Sequence, residues 1–319
     1  MIIVTGGMGF IGSNIVQQLN NMGCTDILIV DSLGNGTKVK NLSSLNFIDY
    51  ISKEDFRNLI LHQKEIGKTD AVIHMGACSD TTESNIEYLM DNNYQYSVDL
   101  LTWCESRGVK FIYASSAAVY GLSNAFKEIT SNESPINYYG RSKLEFDNFV
   151  RKNIHSFKIQ VTGLRFFNVY GPGEDHKHRM ASTIYHFNNQ IMSKDKAFLF
   201  EGYDGYADGE QLRDFVYVKD CAQLATWFLK HSVTNIFNVG TGISRSFNDV
   251  AKNVIDFRKK GTIEYIPFPE DLKGSYQSFT KADISLLRDS GYKAEFFSLE
   301  NGIKDYLSFM DTYLGKRSY

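Results

Sequence analysis

The sequence predicts an α/β protein built on a doubly wound parallel sheet, with a smaller mixed α/β domain folded over one end of it. Short apolar runs alternate with helical segments through the first half of the chain. Such alternation is typical of right-handed βαβ units, whose strands lie parallel in one sheet. The second half is less regular and mixes helices, strands and a Gly-rich loop, which predicts the smaller domain.

The composition is typical of a folded protein with a sizeable core. The chain has 319 residues, of which 43% are hydrophobic, and a net charge of −3. It is too long for one minimal domain, and its charge balance argues against a nucleic-acid partner. It opens on an apolar strand, and no segment approaches the roughly 18 apolar residues of a membrane span. The four cysteines form no CxxC pair, so we expect a cytoplasmic protein with reduced thiols.

Apolar runs bounded by polar residues or Gly predict the strands. They cover residues 1–6, 26–31, 70–76, 110–116 and 159–166, followed by 215–220, 235–242 and 260–269. Between the first two runs, Ile11, Ile15 and Leu19 recur at the spacing of the apolar face of a helix. Further helices are predicted over residues 88–108 and 142–153, and a loop over 202–209.

A glycine-rich loop lies between the first strand and the first helix. Gly6, Gly9 and Gly12 have a GxxGxxG spacing. Without side chains, such a backbone turns tightly and approaches a pyrophosphate at the helix N-terminus. A strand before the loop and an amphipathic helix after it are the context that supports this motif. The loop therefore predicts a dinucleotide site.

The residues after the second strand bear on the choice of dinucleotide. Asp31 ends that strand about 20 residues beyond the loop, where a carboxylate accepts hydrogen bonds from a ribose diol. By itself Asp31 favours NAD. Lys38 and Lys53 follow it, and these cations would neutralise the 2′-phosphate of NADP. The residues alone leave the choice open.

These motifs divide the chain into two predicted parts. The Rossmann domain for NAD(P) comprises residues 1–167 and 214–240. The smaller substrate-binding domain comprises residues 168–213 and 241–319.

Three residues predict proton-transfer chemistry. Tyr139 and Lys143 lie at i and i+4 of a predicted helix and therefore share one helix face. An ammonium beside a phenol favours the phenolate, so we expect the tyrosine pKa to fall from about 10. Such a tyrosine exchanges the proton of a substrate hydroxyl while hydride passes to nicotinamide. Ser116, at the end of a strand, would hold that hydroxyl by a hydrogen bond.

A basic stretch, GPGEDHKHRMAS, contains His176, Lys177, His178 and Arg179 side by side. A zinc site needs several ligands of suitable spacing, and no Cys or acidic pair accompanies these histidines. We therefore expect no metal. The charge pattern alone is typical of a solvated basic loop.

The motifs occur in an order that resembles a known family. The chain resembles the extended short-chain dehydrogenase/reductase superfamily in TGGMGFIG, SSAAVYG, YYGRSK, RFFNVYGPG, RDFVYV and NVGTG. Within it, the chain resembles the ADP-L-glycero-D-manno-heptose 6-epimerase family in HMGACSDTTE, MDNNYQYS, FNVYGPGEDHKHRMAS, LFEGY and IEYIPFPEDLKGSYQSFTKADI. Together these stretches cover nearly the whole chain.

The resemblance implies an isomerase that inverts C6 of the heptose in an ADP-sugar, a precursor of lipopolysaccharide. It implies a tightly bound cofactor, NADP with NAD as the alternative, that oxidises the C6 hydroxyl to a ketone and then reduces the opposite face. It also implies that Lys177 is a second acid/base, opposite Tyr139. For that role the pKa of Lys177 must lie well below about 10.4. Finally, it implies a homo-oligomer, described for the family as a pentamer.

The resemblance also implies contact residues. Besides the glycines, the cofactor would contact Phe10, Ile11, Asp31, Ser32, Lys38, Lys53, Met75, Gly76, Ala77, Cys78, Ser79, Asn92, Lys143, Val169 and Lys177. The ADP-sugar would contact Ser116, Asn168, Arg179, His186, Phe200, Glu201, Gly202, Tyr203, Arg213 and Tyr276. Of these, Arg213 is the expected diphosphate partner, since a guanidinium pairs two phosphate oxygens at once.

Three rival functions share these features. A 4,6-dehydratase needs an acid pair after the catalytic hydroxyl residue, whereas Ala117 and Ala118 follow Ser116. A UDP-hexose 4-epimerase is disfavoured by Lys177 in its HK context and by the LKGSYQSFTKADI segment. A dinucleotide-binding sensor without catalysis would tend to lose the tyrosine and lysine that are present here.

Overall fold

The computed structural model describes residues 1–34, 36–274 and 276–315. Its strands are β1 (Ile2–Thr5), β2 (Ile27–Asp31), β3 (Asp49–Ser52), β4 (Ala71–His74), β5 (Lys110–Ser116), β6 (Val161–Phe166), β7 (Asn168–Tyr170), β8 (Lys196–Phe200), β9 (Leu212–Tyr217), β10 (Asn235–Val239), β11 (Ser244–Ser246) and β12 (Thr262–Ile266). Its α-helices are α1 (Phe10–Asn21), α2 (Lys53–Leu61), α3 (Ile86–Leu89), α4 (Tyr96–Arg107), α5 (Tyr138–Asn153), α6 (Thr183–Lys194), α7 (Val218–Lys230), α8 (Phe247–Arg258), α9 (Ser285–Asp289) and α10 (Leu299–Gly315).

The main sheet is parallel and doubly wound, which confirms the predicted fold class. Over the described residues its strand order is β10-β6-β5-β4-β1-β2-β3, and every neighbouring pair is parallel. The order reverses direction between β1 and β4, so a crevice opens beyond their carboxyl ends. Each predicted strand of the first half is present, whereas β3 was not predicted. It is a partly exposed edge strand without a continuous apolar run.

Helices cover both faces of this sheet, because each strand presents apolar side chains to both sides. On one face, Ile15 of α1 and Phe228 of α7 belong to one buried cluster with the sheet. On the other face, Phe56 of α2, Trp103 of α4 and Phe146 of α5 form a second buried cluster. The strands of the main sheet therefore lie between two packed layers of helices.

The smaller part contains two short sheets, as the predicted mixed α/β domain requires. In one, β9 lies between β11, which is antiparallel to it, and β7, which is parallel. In the other, β8 and β12 run parallel. Helices α6 and α8 pack beside them around the buried residues Ile191 and Val254. Strand β9 extends across the predicted boundary at residues 213 and 214.

The predicted strand over residues 215–220 was wrong at its end. Strand β9 stops at Tyr217, and α7 begins at Val218. The apolar run continues into the helix because both elements are buried, so the run by itself does not mark the boundary. Over the residues that the structure describes, no helix is long and apolar enough to cross a membrane.

Candidate active site

A cavity of about 1160 Å³ lies beyond the carboxyl ends of the main sheet, against the smaller part of the chain. Most of the residues predicted for the site line it. They are Gly6, Gly9, Phe10, Ile11, Gly12, Asp31, Ser32, Lys38, Lys53, Met75, Gly76, Ala77, Cys78, Ser79, Asn92, Ser116, Tyr139, Lys143, Asn168, Val169, Lys177, Arg179, His186, Phe200, Arg213 and Tyr276. Glu201, Gly202 and Tyr203 lie outside the lining of this cavity.

The glycine loop brings the ends of β1 and β4 into close contact. A Cβ atom on Gly6, whose φ is +66°, would lie 2.7 Å from the Gly76 nitrogen. A Cβ on Gly12 would lie 2.1 Å from the Gly6 carbonyl oxygen. Side chains are thus excluded at these positions, which leaves bare backbone at the N-terminus of α1. This cradle fits the pyrophosphate of a dinucleotide.

The carboxylate at the end of β2 is already held by its own surroundings. Asp31 accepts hydrogen bonds from the backbone nitrogens of Met8, at 2.9 Å, and Ser32, at 2.7 Å. It also forms an ion pair with Lys38. Lys53, the first residue of α2, donates from Nζ to Asn92 Oδ1 over 2.9 Å. Two lysines therefore lie at this end of the cavity. Lys38 pairs with Asp31, whereas Lys53 pairs with Asn92 and lies 3.6 Å from the Glu54 carboxylate.

Ser116, Tyr139 and Lys143 meet where β5 ends and α5 begins. The side chain of Asn137 caps α5 by accepting a hydrogen bond from the Gly140 nitrogen at 2.7 Å. In this helix Tyr139 hydrogen bonds with Ser116. Lys143 Nζ donates to the Ala114 carbonyl oxygen over 2.8 Å. The expected face-sharing of Tyr139 and Lys143 thus brings both side chains to the carboxyl end of β5.

The expected fall in the tyrosine pKa is not what the structure shows. Burial raises the pKa of Tyr139, and the hydrogen bond with Ser116 opposes that rise. Burial also lowers the pKa of Lys143 to about 8, against the charge of Asp147. The reason is that both groups are removed from water, which disfavours the phenolate and the ammonium alike.

A buried ionic cluster supports α5 from below, and sequence reasoning missed it. Asp147 accepts hydrogen bonds from Tyr113 Oη at 2.9 Å, Ser115 Oγ at 2.8 Å and Arg165 Nε at 2.8 Å. Arg165 also pairs with Glu133 at 2.7 Å. Asp147 and Arg165 are 0% exposed. Asp147 lies one helical turn beyond Lys143. This i, i+4 spacing is the sequence pattern that could have indicated an acidic residue beside Lys143 on the same face of α5.

Side chains from distant elements hold the segment that carries Lys177. Asn14 of α1 donates to the Pro172 carbonyl oxygen over 2.8 Å. Asn41 donates to the Gly173 carbonyl oxygen over 3.1 Å. Lys40 pairs with Asp175. These three contacts therefore fix the start of the segment to residues of the predicted dinucleotide-binding domain.

Glu174 closes the same segment on itself. Its carboxylate accepts hydrogen bonds from the Gly171 nitrogen at 3.1 Å and from the Ser182 hydroxyl at 2.7 Å. A further bond comes from the Ser182 nitrogen at 2.5 Å. Glu174 is 1% exposed, so the two ends of the segment are joined inside the protein.

Lys177 lies on this segment with its ammonium 5.5 Å from the ring centroid of Phe10. Burial lowers the pKa of Lys177, while the charge of Glu174 opposes the change. The direction is the one that a proton-accepting lysine needs. The next residue, His178, has a φ of 48°, so the backbone turns sharply after Lys177. His176 lines the cavity as well, although the sequence offered no role for it.

Arg179 contacts the loop after β4. Its guanidinium hydrogen bonds with Thr82 and lies 3.4 Å from the Asp80 carboxylate. The Arg179 side chain is 67% exposed, so it lies at the mouth of the cavity. His186 is near it, with Nε2 at 3.4 Å from the Arg179 carbonyl oxygen. The described residues contain no group of three or more potential metal ligands.

The far end of the cavity is built around a buried arginine. Arg213 is 6% exposed and lies 4.7 Å from the ring centroid of Tyr276 and 5.6 Å from that of Phe247. Burial lowers the pKa of Arg213, against the opposing hydrogen bond with Tyr276. No acidic side chain forms an ion pair with Arg213 among the described residues. It is therefore available to an anionic ligand.

The loop after β8 supports this end from outside. Tyr203 stacks on Phe268 at 4.2 Å, and Phe268 meets Tyr276 edge-on at 5.2 Å. Phe200, at the end of β8, contacts Phe268 at 5.4 Å. Of the predicted contact loop, Phe200 therefore reaches the cavity directly, and Tyr203 reaches it through a second aromatic ring.

Several lining residues were not predicted. They include Asp80, Tyr88, Gln190, Phe198, Gln211, Phe247 and Ile266. They come from different elements of the fold, and no common spacing relates them. Only the assembled structure brings them to one cavity.

Comparisons with known proteins agree with this geometry. The model of the NAD dependent epimerase/dehydratase family matches residues 2–240. An ADP-L-glycero-D-manno-heptose-6-epimerase of Alkalilimnicola ehrlichii is 52% identical over 308 residues, which cover 96% of each chain.

Two solved structures show the same architecture. The ADP-L-glycero-D-manno-heptose-6-epimerase of Helicobacter pylori superposes with a TM-score of 0.83 at 35% identity, over 97% of this chain and 96% of that one. A UDP-N-acetylglucosamine 4-epimerase of Methanobrevibacter ruminantium superposes with a TM-score of 0.84 at 26% identity, over 98% of both chains.

Proposed function

The chain belongs to the NAD-dependent epimerase/dehydratase family, and on that premise we propose that it interconverts ADP-D-glycero-D-manno-heptose and ADP-L-glycero-D-manno-heptose. The reaction is an isomerisation at C6, with no net redox change. The proposal rests on the relatives that act on this sugar, at 52% and 35% identity. In the cell, the enzyme would supply lipopolysaccharide heptose from the cytoplasm.

One observation carries the proposal. A single cavity contains the glycine cradle, the Ser116, Tyr139 and Lys143 group, and Lys177. Epimerisation by oxidation and reduction requires a dinucleotide site and proton-transfer groups in one enclosed space. A binding protein without catalysis has no need of this convergence.

The family is NAD dependent, and a bound nicotinamide dinucleotide would supply the hydride acceptor and donor for C6 of the sugar. We propose that the glycine cradle holds its pyrophosphate and that Asp31 and Ser32 contact its ribose. Lys38 and Lys53 provide positive charge at the same end. Because Lys38 already neutralises Asp31, we propose NADP rather than NAD, with Lys53 as the second cation beside the 2′-phosphate.

Tyr139 and Lys177 would move the C6 hydroxyl proton in the two half-reactions. The two epimers present this hydroxyl in different directions, so one phenol does not serve both. Tyr139 exchanges the proton while Ser116 holds the oxygen by a hydrogen bond, and Lys177 exchanges it for the other epimer. The lowered pKa of Lys177 provides a neutral amine at a pH nearer neutrality. Lys143 would position both Tyr139 and the cofactor.

We propose that the diphosphate of the ADP-sugar binds Arg213, with Tyr276 and Phe200 at its nucleotide. Asn168, Arg179 and His186 would contact the sugar. Glu201, Gly202 and Tyr203 would support the nucleotide end from outside the cavity. Residues 1–167 with 214–240 would bind the cofactor, and residues 168–213 with 241–319 would bind the substrate. The enzyme would act as a homo-oligomer, as a pentamer in its family.

UDP-hexose 4-epimerisation is the nearest alternative, but the solved 4-epimerase is only 26% identical. One assay separates the two. Purified protein is incubated with ADP-D-glycero-D-manno-heptose without added reductant, and the C6 configuration is followed by NMR. We expect conversion to a mixture of both epimers. Conversion of UDP-galactose alone, with no change at C6 of the heptose, would contradict the proposal.

A further inference from the structure

A row of buried, hydrogen-bonded polar side chains lies beside Gly6 and Gly76, where the ends of β1 and β4 are in close contact. This row, called the relay below, takes no part in the proton transfers proposed above. Its members are Thr5 at the end of β1, His74 at the end of β4 and Ser97 in α4, at 1%, 3% and 3% exposure. His74 Nδ1 lies 2.6 Å from Thr5 Oγ1, and Nε2 lies 3.0 Å from Ser97 Oγ. Phe111 stacks on the imidazole at 5.8 Å, and Tyr96 meets it edge-on at 5.5 Å.

The groups at the two ends of this relay determine where each proton lies. Ser97 Oγ is 2.6 Å from the Asn93 carbonyl oxygen, which only accepts, so the serine hydroxyl donates to it. Ser97 then has no proton for His74, and His74 Nε2 must carry the hydrogen that joins them. At the other end, the Gly76 N–H donates to Thr5 Oγ1 over 3.1 Å.

The imidazole is therefore neutral, with its hydrogen on Nε2 and a free lone pair on Nδ1. That lone pair accepts the hydrogen of the Thr5 hydroxyl. Donation thus runs in one direction from Gly76 through Thr5, His74 and Ser97 to Asn93. A second proton on Nδ1 would leave the Thr5 hydroxyl hydrogen without its acceptor. Burial and the charge of Lys143 lower the pKa of His74 to about 3.

Both ends of the relay touch parts of the cavity wall. The Gly76 nitrogen would lie 2.7 Å from a Cβ atom on Gly6. Because Thr5 accepts the hydrogen bond from this nitrogen, it holds the ends of β1 and β4 together where they are in close contact. At the other end, the Asn93 side chain donates to Ser142 Oγ over 3.0 Å, and Ser142 donates to the Tyr139 carbonyl oxygen over 2.8 Å. This row of hydrogen bonds thus joins the cofactor cradle to the start of α5.

We propose that His74 is a positioning residue. As the Nε2–H tautomer, it holds the contact between Gly6 and Gly76 and the first turn of α5 in a fixed relative position. This proposal rests on the proposed function only in requiring that the cavity binds a nicotinamide dinucleotide. Without His74, the Thr5 hydroxyl loses the acceptor that orients it, so the bond that Thr5 Oγ1 accepts from the Gly76 N–H is no longer held in one geometry. His74 acts through Thr5 and Gly76 and does not itself touch the reacting atoms.

Variants of Thr5 test the relay without altering the imidazole. Thr5→Val keeps the shape but removes the hydroxyl, whereas Thr5→Ser retains it. Dissociation constants for NADP+ and NAD+ are measured by calorimetry on the full chain, after bound cofactor has been removed. We expect Thr5→Val to weaken binding about tenfold and Thr5→Ser to change it less than about twofold.

Thr226→Val is the matched control, because Thr226 is also buried and hydrogen-bonded, in α7, away from the cavity lining. We expect it to leave dinucleotide binding unchanged. Equal dissociation constants for Thr5→Val and Thr5→Ser would overturn the positioning role. So would an equal loss of binding in Thr226→Val, since the effect would then be one of general packing.

The proton arrangement is tested separately by NMR of protein with 15N-labelled histidine. His74→Gln identifies the resonances of His74 by their loss. We expect a neutral Nε2–H imidazole from pH 5 to pH 8, and an Nδ1–H tautomer or an imidazolium in this range would overturn the inference. Neither test uses a sugar substrate. If both succeed while ADP-heptose is not epimerised, the proposed function fails and the role of His74 stands.

Discussion

Tyr139 and Lys177, the two proposed proton-transfer groups, are held by different kinds of structure. Tyr139 lies in the first turn of α5, a regular helix of 16 residues with a side-chain cap. Lys177 lies in a 3-10 segment of six residues that is interrupted at His178. A regular helix positions a side chain through its own backbone hydrogen bonds. An irregular segment depends instead on contacts from elsewhere in the chain.

The contacts around Lys177 come from remote positions. The hydrogen bond from Asn14 to Pro172 joins residues 158 positions apart, and that from Asn41 to Gly173 joins residues 132 apart. Beneath Tyr139, by contrast, Asp147 lies in the same helix and one turn beyond Lys143. Tyr139 is therefore placed by local structure, and Lys177 is placed by the tertiary fold.

Removing either acid/base group should reduce turnover more than any other change. We expect Tyr139→Phe and Lys177→Met each to lower kcat by about 10²- to 10⁴-fold, the usual contribution of a positioned proton donor or acceptor. The C6 NMR assay measures this, and the amount of cofactor in the purified protein shows whether the cradle remains intact.

Tyr138→Phe and Lys152→Met are the matched controls, because both side chains are exposed. We expect them to retain full activity. An active Lys177→Met enzyme would refute the role of Lys177 and leave Tyr139 as the only acid/base group of the comparison.

Asp147→Ala should destabilise the whole fold, because it removes one of the two acidic partners of a buried arginine and leaves only Glu133. Arg165 is 0% exposed and pairs with Asp147 at 2.8 Å. Breaking one side of a buried ion pair costs about 3–5 kcal/mol of the free energy of unfolding. Urea unfolding measures the change. The exposed carboxylate of Asp311, which pairs with Arg258, provides the control Asp311→Ala, for which we expect less than about 1 kcal/mol.

Glu174→Gln should affect turnover more than folding, because it loosens only the Lys177 segment. An amide group cannot accept both of the backbone hydrogen bonds that the carboxylate receives, from Gly171 and Ser182. Losing one such bond costs about 1–3 kcal/mol, and we expect kcat to fall about tenfold with bound cofactor retained.

Glu264→Gln is the control for Glu174, because Glu264 is a surface carboxylate paired with Lys196. We expect its kcat to be unchanged. If Glu174→Gln lowered the free energy of unfolding as much as Asp147→Ala, the segment would be part of the structural core and the contrast between the two regions would fail.

The buried ammonium of Lys143 predicts a pH dependence of stability. Its pKa is about 8 in the folded protein and about 10.4 when unfolded. Between these values the unfolded chain binds more protons, so the free energy of unfolding rises with pH. We expect a rise on the order of 1 kcal/mol between pH 7.5 and pH 9.5 that is absent in Lys143→Met. Urea unfolding at the two pH values measures it, and equal slopes for both proteins would contradict the burial of this charge.

Much of the fold was predictable because its signals are local. Apolar runs predicted six of the seven described strands of the main sheet, all except β3, and the glycine spacing predicted the turn into α1. The edge strand β3 was not predicted, because it is partly exposed and has no continuous apolar run. The i, i+4 spacing of Tyr139 and Lys143 predicted that they share one helix face, and both residues line the cavity.

Local patterns in the sequence were enough to predict the parallel sheet, the glycine cradle and the face of α5, since each depends on backbone geometry over a few residues. The electrostatics of the site depend instead on the assembled fold. Burial raises the pKa of Tyr139, where spacing to Lys143 predicted a fall. The assembled fold also determines how the segment around Lys177 is held, and it places His74 between the cradle and α5. These depend on solvent exclusion and on contacts between residues far apart in the chain, which no local pattern encodes.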